Sequence, residues 1–251
     1  MAVTGNADWP ELRRWDPDFE VLGPLPGGHR NQVVAVRLRG ERRVARRSRR
    51  SAAALEWEIG LLEHLASHGV AVPSPVRTTD RERFVGGTTV LPWVGGREPA
   101  SEDDWYAVAA ELGRLHRATA GYPQRPGFLS ARELVTRDTG GDVDVRRLPE
   151  DVATLCRTAW EALTDQTSVV HGDPSPGNIR LTGERVTFLD WDECRVDNPD
   201  LDLAALPIDV LPAERRRAAR SALAAWEAAS AWSREPEYAR RRLTAVVDGA
   251  D

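Results

Sequence analysis

The chain contains no lysine: all 34 of its basic residues are arginine. That absence excludes a lysine Schiff base and the phosphate-clamping lysine of a Walker loop. Cysteine is scarce too. Cys156 and Cys194 form neither a disulfide framework nor a metal-binding spacing. No run approaches the ~20 apolar residues needed to span a bilayer, so no membrane association is expected. The opening "MAVTGNADWPELRRW" lacks a charged segment followed by an apolar core, and a cytoplasmic protein is the expectation.

What remains is a globular composition, 41% hydrophobic and 29% charged, over a length that forms one large domain or two small lobes. The net charge is −5, and the arginines are dispersed or balanced by acids, which gives no case for nucleic-acid binding. Runs such as "ERRVARRSRR" (41–50) and "ERRRAAR" (214–220) read as solvated faces.

Residues 20–50 carry strand signals: an apolar start, a Pro/Gly-rich turn, the run Val33–Val36, an "RGER" turn and a short Val44–Ala45 strand. From Ser51 the period becomes helical. Leu55, Leu62 and Leu65 share a stripe, Ser51 is placed to cap the start and Gly69 to end it. Segment 71–96 suggests two or three further strands. After "VGGREPASEDD", Ser101 with Asp104 has the form of a capping box, and Val108, Leu112 and Leu115 supply an apolar stripe. Residues 121–150 read as a long loop or weak helices, 150–165 as a helix, and 212–246 as a helical Ala/Arg-rich tail.

The chemistry concentrates in "VVHGDPSPGNIRL" (169–181). A two-residue turn at Gly183-Glu184 pairs Thr182 with Arg185 and sets Asn178 opposite Leu189, beside Asp190. Strict alternation puts Asn178 and Asp190 on opposite faces, although both sit at strand ends where the pleat need not hold. An Asn oxygen and an Asp carboxylate are hard ligands suited to Mg²⁺ completed by nucleotide phosphates. Asp173 sits at the same mouth, where a carboxylate orients a substrate hydroxyl and accepts its proton. That is the division of labour of phosphoryl transfer. His171 is read as bracing the loop rather than as a general base.

"HGDPSPGN", then "FLDWDE", then "DNPDLDLAAL" resembles the aminoglycoside phosphotransferase family of protein-kinase-like small-molecule kinases. The resemblance covers residues 20–207. It implies an α+β, bilobal protein-kinase-like fold. Residues 1–94 would be a small β-rich nucleotide-binding lobe with one helix. Residues 95–251 would be a larger, mainly helical catalytic and substrate-binding lobe carrying the hairpin, with a Gly-containing hinge near 95. It implies that Asp173 is the catalytic base or substrate-orienting carboxylate, with His171 and Asp202 supporting the loop, and that Asn178 and Asp190 hold Mg²⁺. Because the cluster Asp190, Asp192, Asp197, Asp200 and Asp202 lacks the central Gly and terminal Glu of an EF-hand, a Ca²⁺ loop is disfavoured.

In the first lobe, "LPGGHRNQVVAV" looks like the family's nucleotide loop, with Gly27 and Gly28 letting amides approach phosphates. A Gly-Gly pair between strands is first of all a hairpin turn. The family places a basic residue of the third strand against the phosphates, paired with a helical Glu. Arg46 is favoured over Arg47 for that position. Glu58 lies on the buried stripe and needs a partner, which Arg46 would be. "TTVLPWVGG" takes the hinge position, where Trp93 either stacks on a nucleotide or substrate or, as is common in an apolar run, packs in the core. "ELGRLHRAT" resembles the family's Leu-x-x-Leu-His helix, with His116 a structural hydrogen-bonder.

The expected activity is therefore transfer of the γ-phosphate of ATP or GTP, with Mg²⁺, to a small-molecule hydroxyl. An aminoglycoside-like antibiotic, and hence a role in antibiotic resistance, leads the acceptors. Sugars, amino alcohols and nucleosides stay open, as does a catalytically silent kinase-like binder. A cationic acceptor would want acidic walls, for which Glu102, Asp103, Asp104, Asp192, Glu193, Glu235 and Glu237 are candidates, against the Arg-rich 214–220 segment.

Overall fold

The computed structural model describes residues 5–25 and 31–247. The chain divides into two units, Met1–Gly96 and Arg97–Asp251. The first is an antiparallel sheet in the order β1 (Glu20–Pro24), β2 (Gln32–Leu38), β3 (Glu41–Arg47) and β4 (Thr88–Pro92), with helix α1 (Ala52–Ser67) between β3 and β4. Leu38 pairs with Glu41, so only Arg39 and Gly40 join β2 to β3. Both take positive φ, 49° and 79°, the turn geometry whose twist matches paired strands. Arg39 tolerates it because its amide donates to Asp16 Oδ2 at 2.6 Å.

Alternation along β2 supplies the core of this unit. Val34, Val36 and Leu38 face one way and pack with Ala45 and Val90 against Trp9, Leu12, Trp15 and Phe19. Each Val, Leu or Phe among them, fully buried, contributes about 1.5–3 kcal/mol. Helix α1 starts on Ser51, whose Oγ accepts the Ala54 amide at 3.2 Å. It ends in a Schellman pair, Val70 N–H to Leu65 O at 3.0 Å and Gly69 N–H to Ala66 O at 3.1 Å.

Segment 71–96 corrects an expectation. It holds one strand, β4, with isolated bridges Val76–Val90 and Val85–Thr88, rather than two or three strands. Pro73 and Pro75 cannot donate to a ladder, and Gly86–Gly87 turns the chain at positive φ.

The second unit opens with α2 (Glu102–Ala118), started by the Ser101–Asp104 capping box. Segment 119–149 is mostly irregular, with single 3-10 turns at Glu133–Val135 and Val145–Arg147 and the short pair β5 (Thr139–Gly140) and β6 (Val143–Asp144). Then come α3 (Glu150–Glu161), β7 (Ser168–Val170), the hairpin β8 (Ile179–Thr182) and β9 (Arg185–Phe188), β10 (Arg195–Asp197), α4 (Asp200–Ala204), α5 (Ala213–Ala231) and α6 (Pro236–Val247). The tail is thus two helices, the second beginning at Pro236, whose missing N–H costs nothing at a first turn. Alanines 219, 222, 224, 225 and 229 of α5 join Cys156, Trp160 and Leu201 in the core. Their small size leaves the helix backbone reachable, and Trp160 Nε1 donates to Ala222 O at 3.2 Å. With a sheet in one unit and mainly helices in the other, the fold class is α+β.

Candidate active site

β7 delivers the chain into residues 171–178, and β10 fixes β7 from the side, pairing Arg195 with Val170 and Asp197 with Ser168. The loop then hangs on one carboxylate. Asp202, 1% exposed, accepts the His171 amide at 2.8 Å, the Gly172 amide at 2.9 Å and His116 Nε2–H at 2.9 Å. Burial raises the Asp202 pKa, but the hydrogen bond and charge of His116, the neighbouring His171 and the Gly172 amide outweigh it, so the carboxyl lies below the ordinary range. Ionised carboxylates are buried only when satisfied in this way.

His171 is wholly buried. Its Nε2–H donates to Leu189 O at 2.8 Å, and Nδ1 accepts the Asp173 amide at 3.3 Å. Both nitrogens are engaged with backbone, which suits a bracing part. Phe188 and Trp191 wall it in, with ring centroids 5.5 and 4.8 Å away. Gly172 takes φ 89°, and a Cβ there would lie 2.9 Å from Glu193 O. No other residue fits without strain.

At the far end of the loop, Asn178 Nδ2 donates to Asp173 Oδ2 at 2.8 Å and to Asp173 O at 3.0 Å. With its nitrogen turned to Asp173, the amide's Oδ1 points along the other branch. The hairpin register pairs Thr182 with Arg185 and Ile179 with Phe188, and Leu189 N–H reaches Asn178 O at 2.7 Å. Asp190 follows at φ 52°. That left-handed turn ends the pleat, so alternation no longer dictates which way its carboxylate faces. Aspartate enters it at lower cost than most residues with a Cβ, because its short polar side chain can hydrogen-bond locally.

The remaining acids go elsewhere. Asp197 pairs with Arg195 at 2.8 Å, Asp200 with Arg215 at 2.7 Å, and Asp202 with the loop. Among the described residues no three His, Cys, Asp or Glu side chains form a metal cluster. Of the proposed pocket acids, Asp104 is tied to Arg97 at 2.6 and 2.7 Å and Asp192 is buried. In the 214–220 segment, Arg215 pairs with Asp200, and Arg216 and Arg220 pair with Asp209.

In the first unit the Arg46 guanidinium forms an ion pair with Glu58, both buried. Arg47 leaves the opposite face of β3 to pair with Glu11 at 2.6 Å and stack on Trp9. Gly27 and Gly28 lie outside the described residues. Trp93 does not enter the core: it is 37% exposed and carries the Arg42 guanidinium 3.5 Å above its ring. It stands just after β4, where the apolar run gives way to Gly95 and Gly96. Two residues escaped sequence reasoning altogether. Gln124 and Arg125 bond to the backbone of 191–196, and nothing in "YPQRPG" signals contact with a segment so remote in sequence.

A small antiparallel sheet with one helix, then a helical unit whose hairpin carries an Asp–Asn loop, is a protein-kinase-like fold. The chain belongs to the phosphotransferase enzyme family (APH), which matches residues 21–243. Among curated proteins it is 29% identical over 149 residues to a homoserine kinase of Methylobacterium nodulans, a match covering 54% of this chain and 46% of that protein. The chain thus spans about half the length of the curated relatives it matches. Among solved structures it is similar to a microcompartment-associated aminopropanol kinase (TM-score 0.67, 17% identity, 98% of this chain and 95% of that one). It is similar too to a thermostable mutant of aminoglycoside phosphotransferase APH(4)-Ia in a ternary complex with ADP and hygromycin B (TM-score 0.65, 14% identity, 96% and 97% coverage). At these identities the structural likenesses show the fold.

Proposed function

We propose that the chain is a kinase that moves the γ-phosphate of ATP or GTP to a hydroxyl of a small molecule. The observation that carries this reading is the Asp173–Asn178 contact on a loop whose amides are held by Asp202. Asp173 is exposed at its mouth, where a carboxylate can align an acceptor hydroxyl and take its proton. Asn178 Oδ1 and the Asp190 carboxylate are hard oxygen donors that suit Mg²⁺ carrying nucleotide phosphates. The metal would supply neutralisation of charge on the transferring group. Arg46, oriented by Glu58, would serve the phosphates in place of a lysine. Residues 1–94 act as the nucleotide-binding lobe in this scheme and 95–251 as the catalytic one. Glycines 27 and 28 would approach phosphate, and Trp93 would stack on a ligand.

The acceptor proposed is amine-bearing. Glu193, whose Cβ lies beside the Gly172 turn, shares one neighbourhood with Glu227 and Tyr238. Burial and the Glu227 charge push Tyr238 up to about 12 there. Arg242 pairs with Glu227 in the same neighbourhood, so two carboxylates stand against one guanidinium, and the net negative charge favours a cation. An aminoglycoside-like antibiotic fits this description. An amino alcohol or an amino acid bearing a hydroxyl is the second reading, the latter favoured because the curated relatives are homoserine kinases.

The test is Mg²⁺-dependent release of ADP or GDP with homoserine, aminopropanol, hygromycin B and spectinomycin as acceptors. Turnover on at least one is expected. Asp173→Asn should cut it about 10²–10⁴-fold while nucleotide affinity holds. Nucleotide binding without turnover on any acceptor would favour a silent binder, and an unchanged rate in Asp173→Asn would remove that residue from the mechanism.

A further inference from the structure

Arg125 is wholly buried, an unfavourable place for a guanidinium, which keeps its charge at any ordinary pH. Its Nη1 is surrounded by acceptors from a single stretch of chain. It donates to Asp192 O at 2.8 Å, Cys194 O at 3.2 Å and Trp191 O at 3.3 Å, with Cys194 Sγ at 3.6 Å. Phe128 covers the group, its ring centre 4.7 Å from Cζ. The residue before it grips the next stretch. Gln124 Nε2 donates to Val196 O at 2.8 Å, and Gln124 Oε1 accepts Val196 N–H at 2.9 Å, so the amide pairs with β10 as a neighbouring strand would. The same oxygen accepts the Arg125 amide at 2.8 Å, fixing Arg125 relative to β10.

The clamped residues, 191–196, directly follow Asp190. That residue holds a left-handed conformation at φ 52°, which persists only where surrounding structure over-determines it. Three carbonyls of residues 191–194 converge on Nη1, which sets the orientation of successive peptide planes and, through them, the direction in which Asp190 leaves the turn. We infer that Arg125, assisted by Gln124, is a positioning residue that fixes the Asp190 carboxylate for a divalent metal. This rests on the reading of Asp190 as a metal ligand. Partners that orient a ligand in this way typically govern metal affinity without touching the metal.

The experiment compares the full chain with Arg125→Lys, Gln124→Leu and Asp190→Asn. Two readouts are used: amide hydrogen exchange at residues 190–196 without metal, and Mn²⁺ affinity in the presence of ATP. Lysine keeps the charge but loses the fork that reaches several carbonyls. In Arg125→Lys, exchange at 190–196 should rise about tenfold or more with exchange in α3 and α5 unchanged, and Mn²⁺ affinity should fall about 10–100-fold. Metal-free ATP affinity should hold. Gln124→Leu should shift both readouts in the same direction by a smaller factor, and it decides the matter if Arg125→Lys fails to fold. A folded variant with native exchange at 190–196, or with raised exchange and native Mn²⁺ affinity while Asp190→Asn binds weakly, overturns the inference. If Asp190→Asn itself binds Mn²⁺ normally, the metal-ligand reading fails, and the inference falls with it.

Discussion

Asp202 and His171 are joined through the backbone: Asp202 Oδ2 accepts the His171 amide at 2.8 Å while also receiving His116 Nε2–H at 2.9 Å. One buried carboxylate therefore unites α2, α4 and the loop that carries Asp173. Its pKa is lowered in the folded chain. The stability it adds is present above the ordinary carboxylate value near ~4 and is lost as pH falls through the lower native one. Asp202→Asn should cost about 3–5 kcal/mol at neutral pH. The gap between native and variant should shrink on going from neutral pH to acid below the ordinary carboxylate value near ~4. Urea unfolding at the two pH values measures this, and an equal gap at both would refute a role for the charge.

Gly172→Ala meets two obstacles, φ 89° and Glu193 O at 2.9 Å. A loss of about 1–3 kcal/mol is expected. Gly177 has an ordinary φ and open space around it, so Gly177→Ala should be nearly neutral for stability. Thermal unfolding of the two variants side by side would show it. Equal Tm values would mean that the Gly172 turn relaxes without strain.

The Arg46–Glu58 pair is buried on both sides. Glu58→Leu alone takes the carboxylate from a buried guanidinium and should cost about 3–5 kcal/mol, whereas Arg46→Met with Glu58→Leu should recover most of it. A double-mutant cycle in urea gives the coupling. Strictly additive losses would show that the two side chains stabilise the unit independently.

Both thiols are buried, and burial pushes the Cys156 thiol up to about 12. Reaction requires thiolate and access. A chromogenic disulfide reagent at mild alkaline pH should label neither cysteine in the native chain and both after denaturation. Rapid native labelling of Cys156 would reveal an opening of the α3–α5 core, and of Cys194 a loosening of the 191–196 segment.

Much of the candidate site was legible because its signals are local. The two-residue turn at Gly183-Glu184 dictates the hairpin register, and the register dictates that Asn178 faces Leu189. The Glu58 position followed from helical periodicity. Segment 71–96 resembles several strands in sequence because apolar residues lie between its prolines, yet the prolines lack the donors for a ladder. Trp93 shows the opposite limit: an apolar neighbourhood in sequence does not ensure that apolar groups cover a ring, and here a guanidinium does.

Periodicity and turn chemistry in the chain were enough to determine the α+β class, the loop and the residues gathered on it. They could not decide between neighbours such as Arg46 and Arg47. Adjacent strand residues face opposite ways, and which face meets Glu58 and which meets Glu11 depends on what packs there. Asp190 had to leave the pleat through a left-handed turn, whose cost is met by contacts elsewhere. Those contacts, Arg125 and Gln124 among them, come from residues more than 60 positions away. They exist only once the chain has closed on itself, and no local pattern encodes them.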